Sequence, residues 1–172
     1  MRWGTSHPLV IDVVFAALVG ALTLIGLLTA APDGSQREAD VLAVALVVGE
    51  TVAFVFRRRA PLGSLVTVMA LVVVFWVRDY PTNFDAFSLL AAYAATSHSD
   101  RPRRTVWYAV GAVIGLLSVV ALLGVLSPEE DLPAIAVFGI AAIHLTAAVI
   151  GEMVHERRLR VIELEERALR AE

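Results

Sequence analysis

At 172 residues, 58% of them hydrophobic and 18% charged, the chain carries more apolar side chain than one soluble domain can bury, and predicts a protein solvated largely by lipid. It has no cysteine, which excludes a disulfide framework, an iron–sulfur cluster and a thiolate metal site. The net charge of −3 conceals a strong segregation of charge, and all fourteen basic residues are arginine.

A hydrocarbon core about 30 Å thick takes roughly 20 apolar residues per helix, with about 17 to 25 tolerated. The first such stretch is Pro8 to Ala31. Arg2 ahead of it and Ala30 and Ala31 at its end imitate a secretory signal, but the apolar run exceeds the roughly 7 to 15 residues of one, so it reads as an anchor. Asp12 falls four residues past Pro8, where a carboxylate complements the helix dipole. The second stretch, Asp40 to Phe56, contains Glu50; the third and fourth, Leu62 to Val77 and Pro81 to Ser97, are shorter. Thr82 and Asp85 read as a capping pair for the fourth. Thr105 to Leu126 is the fifth, and Ala134 to Gly151, containing His144, is the sixth. The fold expected is an all-α membrane protein, a six-helix transmembrane bundle over residues 1–151. A cytoplasmic helical segment over 152–172 continues the sixth span.

Alternating these spans through a membrane puts the N-terminus, "RRRAP", "HSDRPRR" and the C-terminal tail on one side, with twelve of the fourteen arginines. The other side holds only Arg37 and Arg78 among acids that include Asp33, Glu38, Asp79 and the run Glu129, Glu130, Asp131. Short loops rich in arginine stay in the cytoplasm, so both termini are expected there, in a multi-pass protein of the cell membrane. The short connections leave no room for an extracellular binding domain, so membrane lipids are the first expected partners. Three steps of small residues, Ala16 with Gly20, Gly111 with Gly115 and Ala147 with Gly151, suit close helix packing within the bundle.

Ionisable residues inside apolar spans are costly and normally face the bundle interior. Asp12, Glu50 and His144 are the candidates. Glu50 lies seven residues before Arg57 and His144 eight before Glu152, which places both roughly 10 to 12 Å from the cytoplasmic boundary at 1.5 Å per residue. A carboxylate and an imidazole at one depth could exchange a proton near neutral pH and act as a sensing element. A structural polar pair that fixes helix register explains the same residues, as do separate bonds to backbone and to hydroxyls such as Thr51 and Thr146.

No catalytic motif is present: there is no phosphate loop, no nucleophile elbow and no zinc-binding H-E-x-x-H helix. His7, His98, His144 and His155 do not share a ligand spacing, so neither metal nor cofactor is expected in this segment, and nothing points to nucleic acid. Beyond Gly151 the apolar character falls while helix formers continue. Glu156 with Arg160, Glu163 with Arg167 and Glu166 with Arg170 stand at i, i+4 in the stabilising order. Val154, Val161, Leu164 and Ala168 follow the 7, 3 and 4 residue steps of a coiled-coil seam, interrupted by Arg157. A parallel dimer and a solvated single helix both fit.

The order of six short-looped spans, with "RRRAPLGSLVTVMALVVVFW" entering the third, "SLLAAYAATSHSDRPRR" closing the fourth and the helix "HERRLRVIELEERALRAE" at the end, resembles the N-terminal membrane region of bacterial two-component sensor histidine kinases. The nitrate-sensor and desaturase-thermosensor type is the most similar. The resemblance implies that these residues are the sensor and transmission part of such a kinase, truncated or a stand-alone relic. A kinase core with its phosphoacceptor histidine, ATP and Mg, a homodimer through the exit helix and a response regulator would belong to the full-length protein. Two other readings compete: a small transporter or channel lined by Glu50 and His144, and a membrane scaffold whose tail binds a cytoplasmic partner.

Overall fold

The computed structural model describes residues 8–30, 36–81, 86–100, 103–125 and 134–171, and every regular element among them is helical. In chain order these are α1 (Pro8–Thr29), α2 (Val41–Val55), a 3-10 turn (Phe56–Arg58), α3 (Pro61–Val77), α4 (Ala86–Ser97), α5 (Arg103–Val125) and α6 (Ala134–Ala171). The Thr82 and Asp85 pair and the acidic run Glu129 to Asp131 lie outside the described residues.

Two stretches, Leu9–Thr29 in α1 and Phe138–Arg170 in α6, are long and apolar enough to cross a membrane. The shorter spans of the sequence become shorter helices: α3 has 17 residues and α4 has 12, about 25 and 18 Å of rise. Along α1, Leu9, Val10, Val14, Leu18, Leu22, Ile25 and Leu28 stand exposed, an apolar surface of the kind that belongs against lipid or another chain.

The chain divides into two compact units, 1–91 and 92–172, with the boundary inside α4. In the first unit α2 packs against both α1 and α3. Its start is set by Asp40, whose carboxylate accepts from the Ala43 amide at 3.0 Å, satisfying one of the donors a helix N-terminus leaves open. Asp40 also ties two chain segments together. Tyr80 donates its hydroxyl to the same carboxylate at 2.6 Å, Arg37 bonds its other oxygen at 2.9 Å, and the Arg37 amide donates to the Asp79 carbonyl at 2.8 Å. Burial and the Asp40 carboxylate raise the Tyr80 phenol above its ordinary pKa. Pro61 opens α3 at a position where its missing N–H costs nothing, and Asp79, at φ 57°, turns the chain out of it. Leu27, Ala43, Leu46, Val47, Phe75 and Tyr80 form the core between these helices, with Leu24 and Leu71 packed on it. Gly20 allows α1 to approach α2 closely, because a Cβ there would run into the Thr51 hydroxyl.

In the second unit α5 packs on α6. The buried positions of α5, Val106, Val110, Val113 and Leu117, recur at steps of four, three and four, the spacing of one helical face. On α6 the buried residues His144, Ala148, Gly151 and Glu152 make the corresponding stripe. The end of α4 meets α6 closely. Thr96 donates its hydroxyl to the Ala148 carbonyl at 2.9 Å, and a Cβ at Gly151 would collide with the Tyr93 carbonyl and the Thr96 hydroxyl.

Of the three small-residue steps, those ending at Gly20 and Gly151 therefore pack as expected. Gly111 and Gly115 do not: a Cβ on either meets nothing within 4 Å among the described residues. Both glycines lie on the exposed side of α5, away from the Val106–Leu117 face, so among the described residues they make no close helix contact.

Candidate functional site

The charged and polar groups of the two units concentrate where helices turn or leave the apolar region. The first such joint is built on Asp12. Placed at the fifth position of α1, just past the first turn in which the dipole acts, it serves an ion-pair role in place of the dipole-complementing one expected. Its two oxygens accept from two consecutive arginines, Oδ1 from Arg57 Nη2 at 2.5 Å and Oδ2 from Arg58 Nε at 3.0 Å. The Asp12 and Arg57 side chains are only 6% and 10% exposed. Burial lowers the pKa of Arg57, and the Asp12 charge opposes that shift.

Arg57 is further enclosed by aromatic rings. Its guanidinium carbon lies 4.4 Å from the Phe54 ring centroid and 5.0 Å from that of Phe15, close enough for the ring quadrupoles to attract the cation. Phe54 in turn meets Phe87 edge-on at 5.5 Å. Nη1 of Arg57 is buried without a hydrogen-bond acceptor among the described residues, and the rings are what replaces water around that side of the group. This joint fastens the start of α1 to the corner between α2 and α3.

Glu50 is buried in α2 at 4% exposure, and His144 in α6 at 7%; they belong to different units. His144 Nδ1 lies 2.8 Å from the Ile140 carbonyl. A carbonyl only accepts, so Nδ1 is the donor in that bond. His98 Nδ1 bonds Ser97 Oγ at 2.7 Å at the end of α4. Among the described residues no three His, Asp, Glu or Cys side chains gather in a metal-binding group.

The last joint lies on α6. This 38-residue helix runs without interruption from the apolar segment into the charged one, about 57 Å in all. Arg103, at the start of α5, bonds Glu152 at 2.8 Å and Glu156 at 3.1 Å. Past them every described side chain from 157 to 170 is exposed. The three i, i+4 pairs read from the sequence all form: Glu156 with Arg160 at 3.8 Å, Glu163 with Arg167 at 2.5 Å and Glu166 with Arg170 at 3.3 Å. Of the seam residues, Val154 is half-buried while Val161, Leu164 and Ala168 are exposed. Leu159, Ile162 and Leu169 add a second exposed apolar row.

A family model described as a domain of unknown function, DUF7134, matches residues 1–158. The chain belongs to the DUF7134 family. The DUF7134 match takes in both units and ends within α6, so the Asp12 and Arg103 joints both fall inside it. No curated protein and no solved structure matches the chain.

Two of these features escaped the reading of the sequence, although a signal for each was present. The arginine-based topology places Asp12 near "RRRAP" and Arg103 near the end of the sixth span. Opposite charges on one side of a membrane, at the ends of apolar helices, are natural partners; only the choice among several arginines needed the structure.

Proposed function

We propose that this chain is the membrane input and signal-transmission part of a two-component sensor histidine kinase. In this reading six spans form a bundle in the cell membrane with both termini cytoplasmic. A stimulus in or near the membrane changes how the helices pack. The change passes along α6 to a kinase core that binds ATP and Mg, and that core serves a response regulator. Two chains pair through their exit helices.

The observation that carries the reading is the continuity of α6. It passes without a break from an apolar segment with a buried face to a segment exposed on all sides, and a rod of this kind transmits rotation or translation from one end to the other. The arginine asymmetry supports the orientation, and the exposed apolar surface of α1 supports lipid contact. Glu50 and His144 supply titratable groups inside the apolar spans, where a change in protonation or hydration alters packing most.

The test is a fusion of residues 1–171 to a histidine-kinase core, compared in membranes with the same core detached. Glu50→Gln and His144→Gln are expected to shift autophosphorylation at least threefold while the protein remains folded and membrane-bound. Output equal to that of the detached core in the native fusion and both variants would refute the reading. Ion or solute flux through liposomes containing the chain, lost on Glu50→Ala, would favour a transporter instead.

A further inference from the structure

Taken alone, the first turn of α5 is a poor place for an arginine, because a helix N-terminus carries partial positive charge and favours anions. Arg103 is nonetheless the first residue of α5. Its position makes sense through α6: Nε bonds Glu152 Oε1 at 2.8 Å and Nη1 bonds Glu156 Oε1 at 3.1 Å. Those glutamates are four residues apart and so share one face of the helix a turn from each other. One planar guanidinium spans both, and the carboxylates bring to the α5 terminus the negative charge it lacks.

The two bonds differ in their surroundings. The Glu152 side chain is 12% exposed, against 39% for Glu156 and 63% for Arg103. The inner bond is shielded and the outer one faces solvent, where Arg160 also reaches Glu156. Just before them on α6, Thr96 grips the Ala148 carbonyl and Gly151 closes on Tyr93. Just after them the helix is exposed on every side for the fourteen residues 157–170, a lever of about 21 Å. Among the described residues, Arg103 therefore holds the last fixed point on α6.

We propose that Arg103 is a positioning residue, a two-toothed ionic clutch that fixes the rotation and tilt of the exit helix against α5. Releasing the outer tooth at Glu156 lets the lever pivot, and releasing both frees it. A small angular change at 152–156 becomes a displacement of several ångströms by residue 170. The signalling role of the clutch rests on the transmission reading above; its mechanical role does not.

These 172 residues include no cysteine, so spin labels placed through Tyr108→Cys on α5 and Glu165→Cys on the exit helix report one distance. The chain would be studied in lipid nanodiscs, diluted with unlabelled protein. The native distance distribution is expected to be narrow. It should at least double in width in Arg103→Gln and in the double variant Glu152→Gln/Glu156→Gln, and narrow again in the reciprocal triple Arg103→Glu/Glu152→Arg/Glu156→Arg. If Arg103→Gln fails to fold, the double variant carries the test. An unchanged width in the folded variants overturns the clutch. Autophosphorylation of the kinase fusion is read on the same variants: a widened distribution with unaltered phosphorylation leaves the clutch standing and sinks the transmission reading.

Discussion

Asp12→Ala is expected to be the most damaging single substitution in the chain, costing about 3 to 5 kcal/mol of stability, the range for breaking a buried ion pair by removing one partner. The size comes from what is left behind. Arg57 would keep its place between Phe15 and Phe54 with a charge that burial already disfavours and no carboxylate to offset it. Arg58, with 45% of its side chain exposed, can turn to solvent and contributes far less. The pair itself need not be strongly stabilising, because desolvation of both charges consumes much of their attraction. Removing both charges with shape retained, in Asp12→Leu/Arg57→Met, is therefore expected to recover most of the loss. Denaturation in detergent micelles measures both variants against the native protein. A loss under about 1 kcal/mol for Asp12→Ala would show that the joint is not a buried one.

The second large effect is steric. Gly151→Ala is expected to cost about 1 to 3 kcal/mol, as overpacking in a close contact does, because the new methyl group meets the Tyr93 backbone carbonyl as well as the Thr96 side chain. A hydroxyl can rotate away; a carbonyl held in α4 cannot without moving the helix. It should also break the Thr96 bond to Ala148 and lift α6 away from α4 directly beside the Arg103 clutch. Gly20→Ala, whose nearest described neighbours are all atoms of the Thr51 side chain, should cost less. Gly111→Ala and Gly115→Ala should cause no loss, since among the described residues neither methyl group meets another atom within 4 Å and alanine favours the helix by up to about 1 kcal/mol. The four substitutions are chemically identical, so their ranking on one denaturation scale isolates packing from propensity. A cost at Gly111 equal to that at Gly151 would contradict the described contacts.

The helical character of the chain was legible in the sequence from its long apolar runs, and five of the six stretches begin within two residues of a helix start, whereas the fourth was expected from Pro81 and α4 is described from Ala86. Also legible was the charged extension of α6, whose Glu and Arg spacing predicts the three pairs that form. What could not be read was azimuth. Gly111 with Gly115 and Ala147 with Gly151 look alike in sequence, yet one pair is open and the other ends in a close helix contact. The difference lies in which side of each helix its neighbours occupy. Asp12 was misread for a related reason: its distance from Pro8 suggested a local role with the helix dipole, whereas its partners are 45 and 46 residues away in the sequence. Arg103 had several acids within reach in the sequence, and only the close packing of α5 on α6 selects Glu152 and Glu156.

The central claim is that α6 acts as one rod whose rotation sets output, and a series of insertions beyond the clutch tests it most directly. In the kinase fusion, one, two, three, four or seven helix-forming residues are added after Arg160, below the last residue held by Arg103, and autophosphorylation is measured in membranes. Each added residue turns everything beyond it by about 100°, so activity should rise and fall with helical phase and return close to the native level at seven, two nearly complete turns. Equal activity across all five insertions would contradict the account.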